Sequence, residues 1–286
     1  MANRQTRKQT TQTTGMPQMP VLLLDKPKGP TSFEVVERVA KRLNVSKAGH
    51  SGTLDPNATG LMLIALGESR KAMPVLMGLD KEYEGTMKLH GDAGTEEIKK
   101  SVESFLGEIT QIPPVKSAVA RRPRKRNVYD IEVLERTARN VKFRVSCEAG
   151  TYIRKLVHDA GQDLGFGAHL LELRRTRIGP FGIDEAVKPD AEEKELYGSM
   201  ITLEKALERI KLPRITISSK YEGKIRNGSP VRKCFVKSMP EGFADGAYAG
   251  IFDPKGRIIA LGKFSAMGGM KGDTVAKTDR VFKAYE

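Results

Sequence analysis

The apolar and polar positions of the chain predict short strands and helices that follow one another without a regular order. From Val21 the run V-L-L-L-D-K-P-K-G-P-T-S places four apolar residues before a Pro and Gly turn, which is typical of a short strand. Thr31 and Glu34 have the spacing of a capping box and predict the start of a helix. One apolar face of this helix is formed by Val36, Val39, Ala40 and Leu43.

Two further strands are predicted by different patterns. The continuous apolar run from Leu61 to Leu66 is expected of a strand that is buried on both faces. Between residues 83 and 90, apolar and polar residues alternate, which predicts a strand with one buried face. The positions expected on that buried face are Tyr83, Gly85, Met87 and Leu89.

The centre of the chain repeats this mixture. Thr95 is a candidate cap for a helix that Gly107 would end, and alternating strands begin near Tyr129 and Val141. The turn E-A-G-T-Y then leads into a helix that ends near Gly161. Because there is no regular βαβ rhythm, we predict an α+β fold, with a mixed, largely antiparallel sheet flanked by helices.

Composition divides the chain into three parts. Residues 1–20 are rich in Gln, Thr and Met and lack periodicity, so they predict a disordered tail. Residues 21–205 hold the strands and helices described above. After a composition shift between residues 189 and 213, short strand-like runs alternate with Gly-rich turns, which predicts a small β-rich domain at residues 206–286.

Charge is the strongest compositional signal. The net charge is +14, and residues 211–286 alone carry 15 Lys and Arg against 7 Asp and Glu. Such an excess favours a polyanionic partner, and nucleic acid ranks above membrane because the sequence shows no basic amphipathic helix. Two distant cysteines, the lack of a secretory signal and the lack of a long apolar run predict a cytoplasmic protein.

The loop K-A-G-H-S-G-T-L-D-P-N-A-T-G, residues 47–60, carries more chemistry than a turn requires. Asp55 before Pro56 can form a simple Asx turn, or it can be a reactive carboxylate if a second group holds it ionised. Arg154 is a candidate partner because a guanidinium binds a carboxylate bidentately, although it can equally bind phosphate or lie exposed on a helix. His50 either caps the turn or donates a hydrogen bond to a phosphate or to a flipped nucleotide.

Aromatic and basic residues leave similar alternatives. Tyr83 and Tyr152 can stack on an extruded base or close the core. The basic run between residues 121 and 126 is either a solvated loop or a surface that binds an RNA backbone. Its cations are Arg121, Arg122, Arg124, Lys125 and Arg126. L-R-R-T, which begins at Leu173, adds two more cations.

Six segments in collinear order resemble the TruB family of pseudouridine synthases, and specifically its archaeal and eukaryotic dyskerin-type branch. They lie between residue 21 and about residue 190. The segments are L-D-K-P-K-G-P-T-S, A-G-H-S-G-T-L-D-P-N-A-T-G, K-E-Y-E-G-T-M-K-L-H, Q-I-P-P-V-K-S-A-V-A-R-R, A-G-T-Y-I-R-K-L-V-H-D-A-G and L-R-R-T-R-I-G-P-F. The C-terminal region resembles a PUA domain, a small RNA-binding β-barrel, through K-I-R-N-G-S-P-V and K-G-D-T-V-A-K-T-D-R-V-F.

The resemblance implies an isomerase that flips a uridine out of the RNA and converts it to pseudouridine without a cofactor or a metal. It implies that Asp55 is the nucleophile, that Arg154 pairs with it and that Tyr83 stacks on the target base. The remaining implied roles belong to residues that line or support the pocket. These are His50 and Tyr152 beside the RNA, Leu173 against the substrate, and Lys26 and Pro27 beneath the catalytic loop.

The branch determines the expected substrate and partners. Stand-alone TruB-type enzymes carry an insertion after the K-x-Y strand, whereas here G-D-A-G-T passes directly into the next helix. The resemblance therefore implies guidance by box H/ACA RNA, rRNA or tRNA as substrate, and small protein subunits of the H/ACA ribonucleoprotein as partners. The alternatives are a stand-alone tRNA T-loop pseudouridine synthase and a non-catalytic RNA-binding scaffold.

Overall fold

Ten strands form one large sheet. The computed structural model of the chain describes residues 16–113, 122–265 and 273–283. The strands of this sheet are β1 (Pro20–Lys26), β2 (Ala48–His50), β3 (Thr59–Leu66), β4 (Lys81–Leu89), β5 (Gly107–Gln111), β6 (Arg124–Thr137), β7 (Asn140–Cys147), β8 (Ala168–Ile178), β9 (Phe181–Gly182) and β10 (Met200–Thr202). The order across the sheet is β10-β1-β3-β8-β4-β7-β6-β5, with β2 added to β3 and β9 added to β8. The β3–β8 pair is parallel, and the other described pairs of this sheet are antiparallel.

Helices occupy the connections of this sheet. They are α1 (Ser32–Arg42), α2 (Met73–Met77), α3 (Thr95–Glu103), α4 (Ile153–Asp163), α5 (Glu193–Gly198) and α6 (Leu203–Arg209). α1 begins as predicted, because the Thr31 side chain accepts from the Glu34 amide and the Glu34 carboxylate accepts from the Thr31 amide. The prediction for α3 is wrong by one residue. Its N-cap is Gly94, whose amide donates to the Glu97 carboxylate at 3.3 Å, and Thr95 is already helical.

The buried positions follow the predicted patterns of the strands. β3 lies in the middle of the sheet, and its apolar run from Leu61 to Leu66 is at most 1% exposed. In β4 the alternation is confirmed, because the four positions expected on the inner face are all buried. The central strands therefore hold the loops between them on a rigid support.

A second sheet of six strands forms the C-terminal part. It contains β11 (Arg214–Ile217), β12 (Val231–Arg232), β13 (Val236–Ser238), β14 (Tyr248–Phe252), β15 (Ile258–Phe264) and β16 (Thr274–Val281), together with α7 (Glu222–Arg226). The order is β12-β16-β15-β14-β11-β13. Because only Lys233–Phe235 separate the edge strands β12 and β13, the two edges of the sheet come close and the sheet curves into a nearly closed barrel.

The two sheets share an apolar cluster. Leu203 and Leu207 of α6 belong to the same cluster as Phe252 and Phe282 of the C-terminal part. The division predicted between residues 205 and 206 falls inside α6, so this helix contributes to the junction. At the other end, the tail predicted for residues 1–20 reaches too far, because Met16 packs against the core and Pro20 begins β1.

The predicted fold class is confirmed. The main part is a mixed, largely antiparallel sheet flanked by helices, and the C-terminal part is a small barrel-like sheet. The longest described helices have 11 residues, and among the described residues none is long and apolar enough to cross a bilayer.

Candidate active site

The site is built on the loop between β2 and β3. Leu54 is buried, and its backbone is bonded to the side chain of Ser32 at the start of α1. The Ser32 hydroxyl donates to the Leu54 carbonyl at 2.9 Å and accepts from the Leu54 amide at 2.8 Å. The residue before Asp55 is thus fixed to a helix, and the Ala58 amide donates to the Asp55 carbonyl at 3.0 Å to close the turn.

Lys26 supports the other half of this loop. Its side chain is fully buried, and its ammonium donates to the carbonyls of Pro27, Pro56 and Ala58 at 3.0, 3.3 and 2.8 Å. Burial lowers the pKa of Lys26 from its ordinary value. Pro27 itself is exposed, and its carbonyl accepts a hydrogen bond from this ammonium. Lys26 therefore ties the end of β1 to both sides of the turn that carries Asp55.

The structure brings Asp55 and Arg154 together in an ion pair, although they are 99 positions apart in the chain. Arg154 lies in the first turn of α4 and donates to the Asp55 carboxylate. Both side chains stay open to solvent, with exposed fractions of 58% for Asp55 and 53% for Arg154. An exposed pair contributes at most about 1 kcal/mol to stability, so its main effect is to orient an accessible carboxylate.

Beneath the loop lies Arg175, which the sequence presented only as another cation. Its side chain is 1% exposed, and no carboxylate among the described residues forms an ion pair with it. Its guanidinium instead donates to the carbonyl of Leu61 at 2.7 Å and to that of Gly52 at 3.1 Å. Of the two cations that L-R-R-T adds, Arg175 is therefore buried. Only Arg174 is partly exposed, and it pairs with Asp25 at 2.7 Å.

Arg175 connects the loop to Tyr83. The two residues are cross-strand partners on β4 and β8, and Tyr83 is also buried. Burial raises the pKa of Tyr83 above its ordinary value, while the Arg175 guanidinium, which hydrogen-bonds the phenol, acts in the opposite direction. The side chain is consequently a neutral phenol at pH 7.

His50 lies at the end of β2, where the loop begins. Burial lowers the pKa of His50 first, and the nearby Arg175 charge lowers it further. The imidazole is therefore neutral at pH 7. Its Nδ1 accepts a hydrogen bond from the Gly52 amide at 3.3 Å, which leaves the ring proton on Nε2. His50 can thus offer one N–H to a ligand.

Tyr152 and Leu173 border the same region from different elements. Tyr152 is the N-cap of α4, and its backbone exchanges two hydrogen bonds with the Gln111 side chain, at 2.9 and 3.2 Å. Leu173 on β8 lines a cavity of about 330 Å³ together with Asn57 and Thr59 of the catalytic loop. Both residues are partly exposed, so each can contact a bound ligand.

The cations of the basic run between residues 121 and 126 are not all available to a ligand. Three of its cations begin β6, so the solvated-loop interpretation is wrong for them. Lys125 pairs with Glu108 at 2.8 Å, and Arg126 lies 3.3 Å from Glu148. Arg122 is exposed and Arg124 is half-buried, while Arg121 lies outside the described residues. Arg126 also packs against Gly150, in the turn before α4, so the run borders the site.

The arrangement is suited to chemistry at an electron-poor carbon. It presents an accessible carboxylate on a fixed loop, an oriented guanidinium, and a neutral phenol and imidazole nearby. A carboxylate in such a setting can attack a sugar carbon or stabilise positive charge on it. Among the described residues, no group of three or more His, Cys, Asp or Glu is placed to hold a metal ion.

Comparison with known proteins identifies the family. The model for the N-terminal domain of TruB family pseudouridylate synthases matches residues 40–153, and the model for the C-terminal domain of tRNA pseudouridylate synthase B matches residues 154–213. A Methanopyrus kandleri protein named "Probable tRNA pseudouridine synthase B" is 44% identical over 85% of this chain and 75% of its own. The Pyrococcus furiosus protein of the same name is 42% identical over 86% of this chain and 76% of its own.

Solved structures agree with these sequence matches. A structure of a Cbf5-Nop10-Gar1 complex aligns with a TM-score of 0.83 and 38% identity, over 93% of this chain and 85% of that chain. An H/ACA RNP bound to a substrate RNA containing 2'-deoxyuridine aligns with a TM-score of 0.80 and 36% identity, over 93% and 86%. The chain belongs to the TruB family of pseudouridine synthases, which are RNA isomerases.

Proposed function

We propose that the chain converts uridine to pseudouridine with Asp55 as the catalytic carboxylate. The observation that carries this role is the exposed Asp55–Arg154 ion pair on a loop that is otherwise fixed by buried contacts. In this reaction the N1–C1′ bond breaks, the uracil rotates and a bond forms between C5 and C1′. C5 loses a proton and nitrogen gains one, so no redox partner is required. Asp55 attacks C1′ or stabilises its positive charge as the bond breaks.

The surrounding residues then bind the flipped nucleotide. Tyr83 stacks on the base, and its raised pKa keeps the phenol neutral during the reaction. Arg154 pairs with the Asp55 carboxylate and holds it in place. His50 donates its Nε2 proton to the RNA, while Tyr152 and Leu173 line the pocket. Lys26 and Pro27 support the loop from below.

We also propose that a box H/ACA guide RNA selects the uridine and that small protein subunits complete the particle. Support comes from the solved relatives, which are a complex of Cbf5 with Nop10 and Gar1 and an H/ACA RNP with substrate RNA. Only residues 90–94 connect β4 to α3, so the insertion of stand-alone TruB-type enzymes is missing at this point. The basic run and the cationic C-terminal sheet, as a PUA domain, would bind RNA backbone. We further propose that the chain acts on rRNA or tRNA in the cytoplasm, a reducing compartment in which two free cysteines are expected.

A stand-alone tRNA pseudouridine synthase is the second candidate. The curated relatives and one of the family models carry the name of tRNA pseudouridine synthase B. The two candidates differ in whether the chain alone modifies an unmodified tRNA transcript at the speed of the assembled particle. Mapping pseudouridine after incubation with and without guide RNA and subunits separates them, and efficient guide-free modification would exclude the guided function.

The catalytic role is tested by Asp55→Asn in the reconstituted particle with its guide and substrate RNA. We expect modification to fall by at least about 10³-fold, while RNA affinity stays within about twofold of the wild type. The matched control is Asp92→Asn, because Asp92 is also exposed and pairs bidentately with Arg139, at 3.0 and 2.7 Å. That variant should modify RNA normally.

Three outcomes have different meanings. If Asp55→Asn modifies RNA as fast as the wild type, Asp55 is not the catalytic carboxylate. If the wild type binds RNA and modifies none with any guide, the non-catalytic scaffold is the better description. If Asp92→Asn loses activity to the same extent, the loss reflects removal of a surface charge and the role of Asp55 is unsupported.

A further inference from the structure

Two of the four histidines of the chain lie together on the surface, at the end of β4 and β8 that lies away from Tyr83. His90 directly follows β4, and His169 is the second residue of β8. Their rings meet with His90 Nε2 and His169 Nδ1 2.7 Å apart and with the ring centroids 5.0 Å apart. Both residues are exposed, so neither ring is required to fill the core.

The sheet register explains why these rings converge. Lys88 lies directly opposite His169, and the His90 amide donates to the Gly167 carbonyl at 3.0 Å. His90 and His169 are therefore diagonal neighbours on one face of an antiparallel pair, where long side chains are within reach of each other. Gly167 contributes no side chain opposite His90, and a Cβ at that position would lie only 3.0 Å from His90 Nδ1.

The two facing nitrogens have the chemistry of metal ligands. Neutral imidazole binds late first-row dications well. Two nitrogens that share a tetrahedral zinc ion at about 2.0–2.1 Å are roughly 3.3 Å apart. The pair therefore needs to open by only about 0.6 Å, which exposed rings can do by small side-chain rotations.

The other side of His90 can provide the second contact that a metal-binding imidazole requires. When Nε2 binds a metal, the ring proton moves to Nδ1 and needs an acceptor. The position opposite His90 that Gly167 leaves empty is flanked by His90 Nδ1 and, at 3.6 Å, by the Gln162 side-chain amide. The amide oxygen of Gln162 can turn toward Nδ1 and accept this proton.

We propose that His90 and His169 form a two-histidine binding site for Zn²⁺, Ni²⁺ or Cu²⁺, with His90 Nε2 and His169 Nδ1 as ligands. Water occupies the remaining coordination positions. A bound ion cross-links the ends of β4 and β8, the strands that carry Tyr83 and Leu173 further along. The site is independent of the RNA chemistry proposed above, because it lies outside the catalytic loop.

Lys88 provides a way to strengthen the site. It is exposed, it faces His169 directly and its positive charge repels a dication. Replacing it by an acid on the same face reverses the sign of this interaction and adds a carboxylate ligand. Lys88→Glu should therefore bind the ion more tightly than the wild type.

The experiment titrates Zn²⁺ into untagged full-length protein by isothermal calorimetry. We expect one site that weakens at least tenfold in His90→Gln and in His169→Gln and tightens several-fold in Lys88→Glu. His158→Gln is the control, because His158 is also exposed and its ring contacts Asp159, at 3.3 Å, and not the partner ring of a second histidine. The control should bind within twofold of the wild type.

Spectroscopy of the wild type keeps the test independent of variant folding. With one equivalent of Cu²⁺, electron paramagnetic resonance should show coupling to two imidazole nitrogens, reduced to one in either single variant. Imidazole nitrogen resonances of both residues should shift on addition of Zn²⁺. Unchanged affinity in both His variants, or unchanged resonances in the wild type, would overturn the proposal.

Discussion

The catalytic loop has two faces that use charge in opposite ways. On its outer face, Asp55 and Arg154 form an ion pair in which both partners are more than half exposed. On its underside, Lys26 and Arg175 are buried, and both donate to backbone carbonyls. Exposed pairs contribute little to stability, whereas buried donors are costly to remove. The difference predicts that activity and stability separate according to the face that is changed.

Apart from the replacement of Asp55 itself, Arg154→Met should have the largest effect, and on activity alone. Loss of the guanidinium removes the group that orients Asp55, so we expect the rate of pseudouridine formation to fall by about 10²–10³-fold. The free energy of unfolding should change by less than about 1 kcal/mol, because the side chain is exposed. Single-turnover assays of the reconstituted particle and denaturant unfolding of the chain measure the two quantities.

A matched change on another exposed pair tests this assignment. Arg139→Met removes the partner of Asp92 from an ion pair in which both side chains are also open to solvent. It should leave both the rate and the free energy of unfolding near their wild-type values. A large stability loss in Arg154→Met, with activity reduced only in proportion to the unfolded fraction, would contradict the separation of the two faces.

Arg175→Met should act chiefly on stability. It leaves the carbonyls of Leu61 and Gly52 without their buried donor, and we expect the free energy of unfolding to fall by about 2–4 kcal/mol. The neighbouring Arg174→Met should cost less, because Arg174 is partly exposed. Urea unfolding of both variants gives the comparison. If Arg174→Met lowers the free energy of unfolding more than Arg175→Met does, the buried hydrogen bonds of Arg175 are not what stabilises the underside of the loop.

The regular elements around this loop were predictable because local rules determine them. The alternation from Tyr83 to Leu89 places one face of β4 in the core, and the Thr31–Glu34 capping box starts α1. The beginning of α3 was misplaced by one residue, since a glycine in an extended conformation can serve as N-cap as well as threonine can.

The site required more than local rules. Asp55 and Arg154 were paired from a family resemblance, since spacing alone does not bring residues 99 positions apart into contact. The burial of Arg175 was missed because adjacent residues of a strand point to opposite faces, and L-R-R-T does not say which arginine faces inward. The register of β8 against β4, which places Arg175 opposite Tyr83, decides this. That register depends on tertiary structure.

Two serines sharpen the comparison on a smaller scale. Ser32 and Ser51 are both 1% exposed, but Ser32 makes two hydrogen bonds to Leu54, whereas the Ser51 hydroxyl has no partner among the described residues. Ser32→Ala should lower the free energy of unfolding by about 1–3 kcal/mol, because it leaves two backbone groups unsatisfied. Ser51→Ala should be neutral or slightly stabilising. Equal losses in the two variants would show that burial, and not bonding, determines the cost.

His50 lies at the start of the loop and is influenced by the Arg175 charge on its underside. The titration of His50 gives the smallest expected effect on the free energy of unfolding. Burial and then the Arg175 charge lower the pKa of His50 in the folded protein, whereas an unfolded chain has a pKa of about 6.5 for this group. The unfolded state therefore binds more protons as the pH falls through this value, and the free energy of unfolding decreases on acidification. His50→Gln removes this contribution, so its stability should decline less than that of the wild type between about pH 7.5 and 5.5.

Urea unfolding at several pH values measures this difference, since titrations shared by the two proteins cancel in the comparison. Parallel curves for His50→Gln and the wild type would mean that His50 gains its proton as easily in the folded protein as in the unfolded chain. The Arg175 charge would then have no effect on the pKa of His50, and the two faces of the loop would be electrostatically independent.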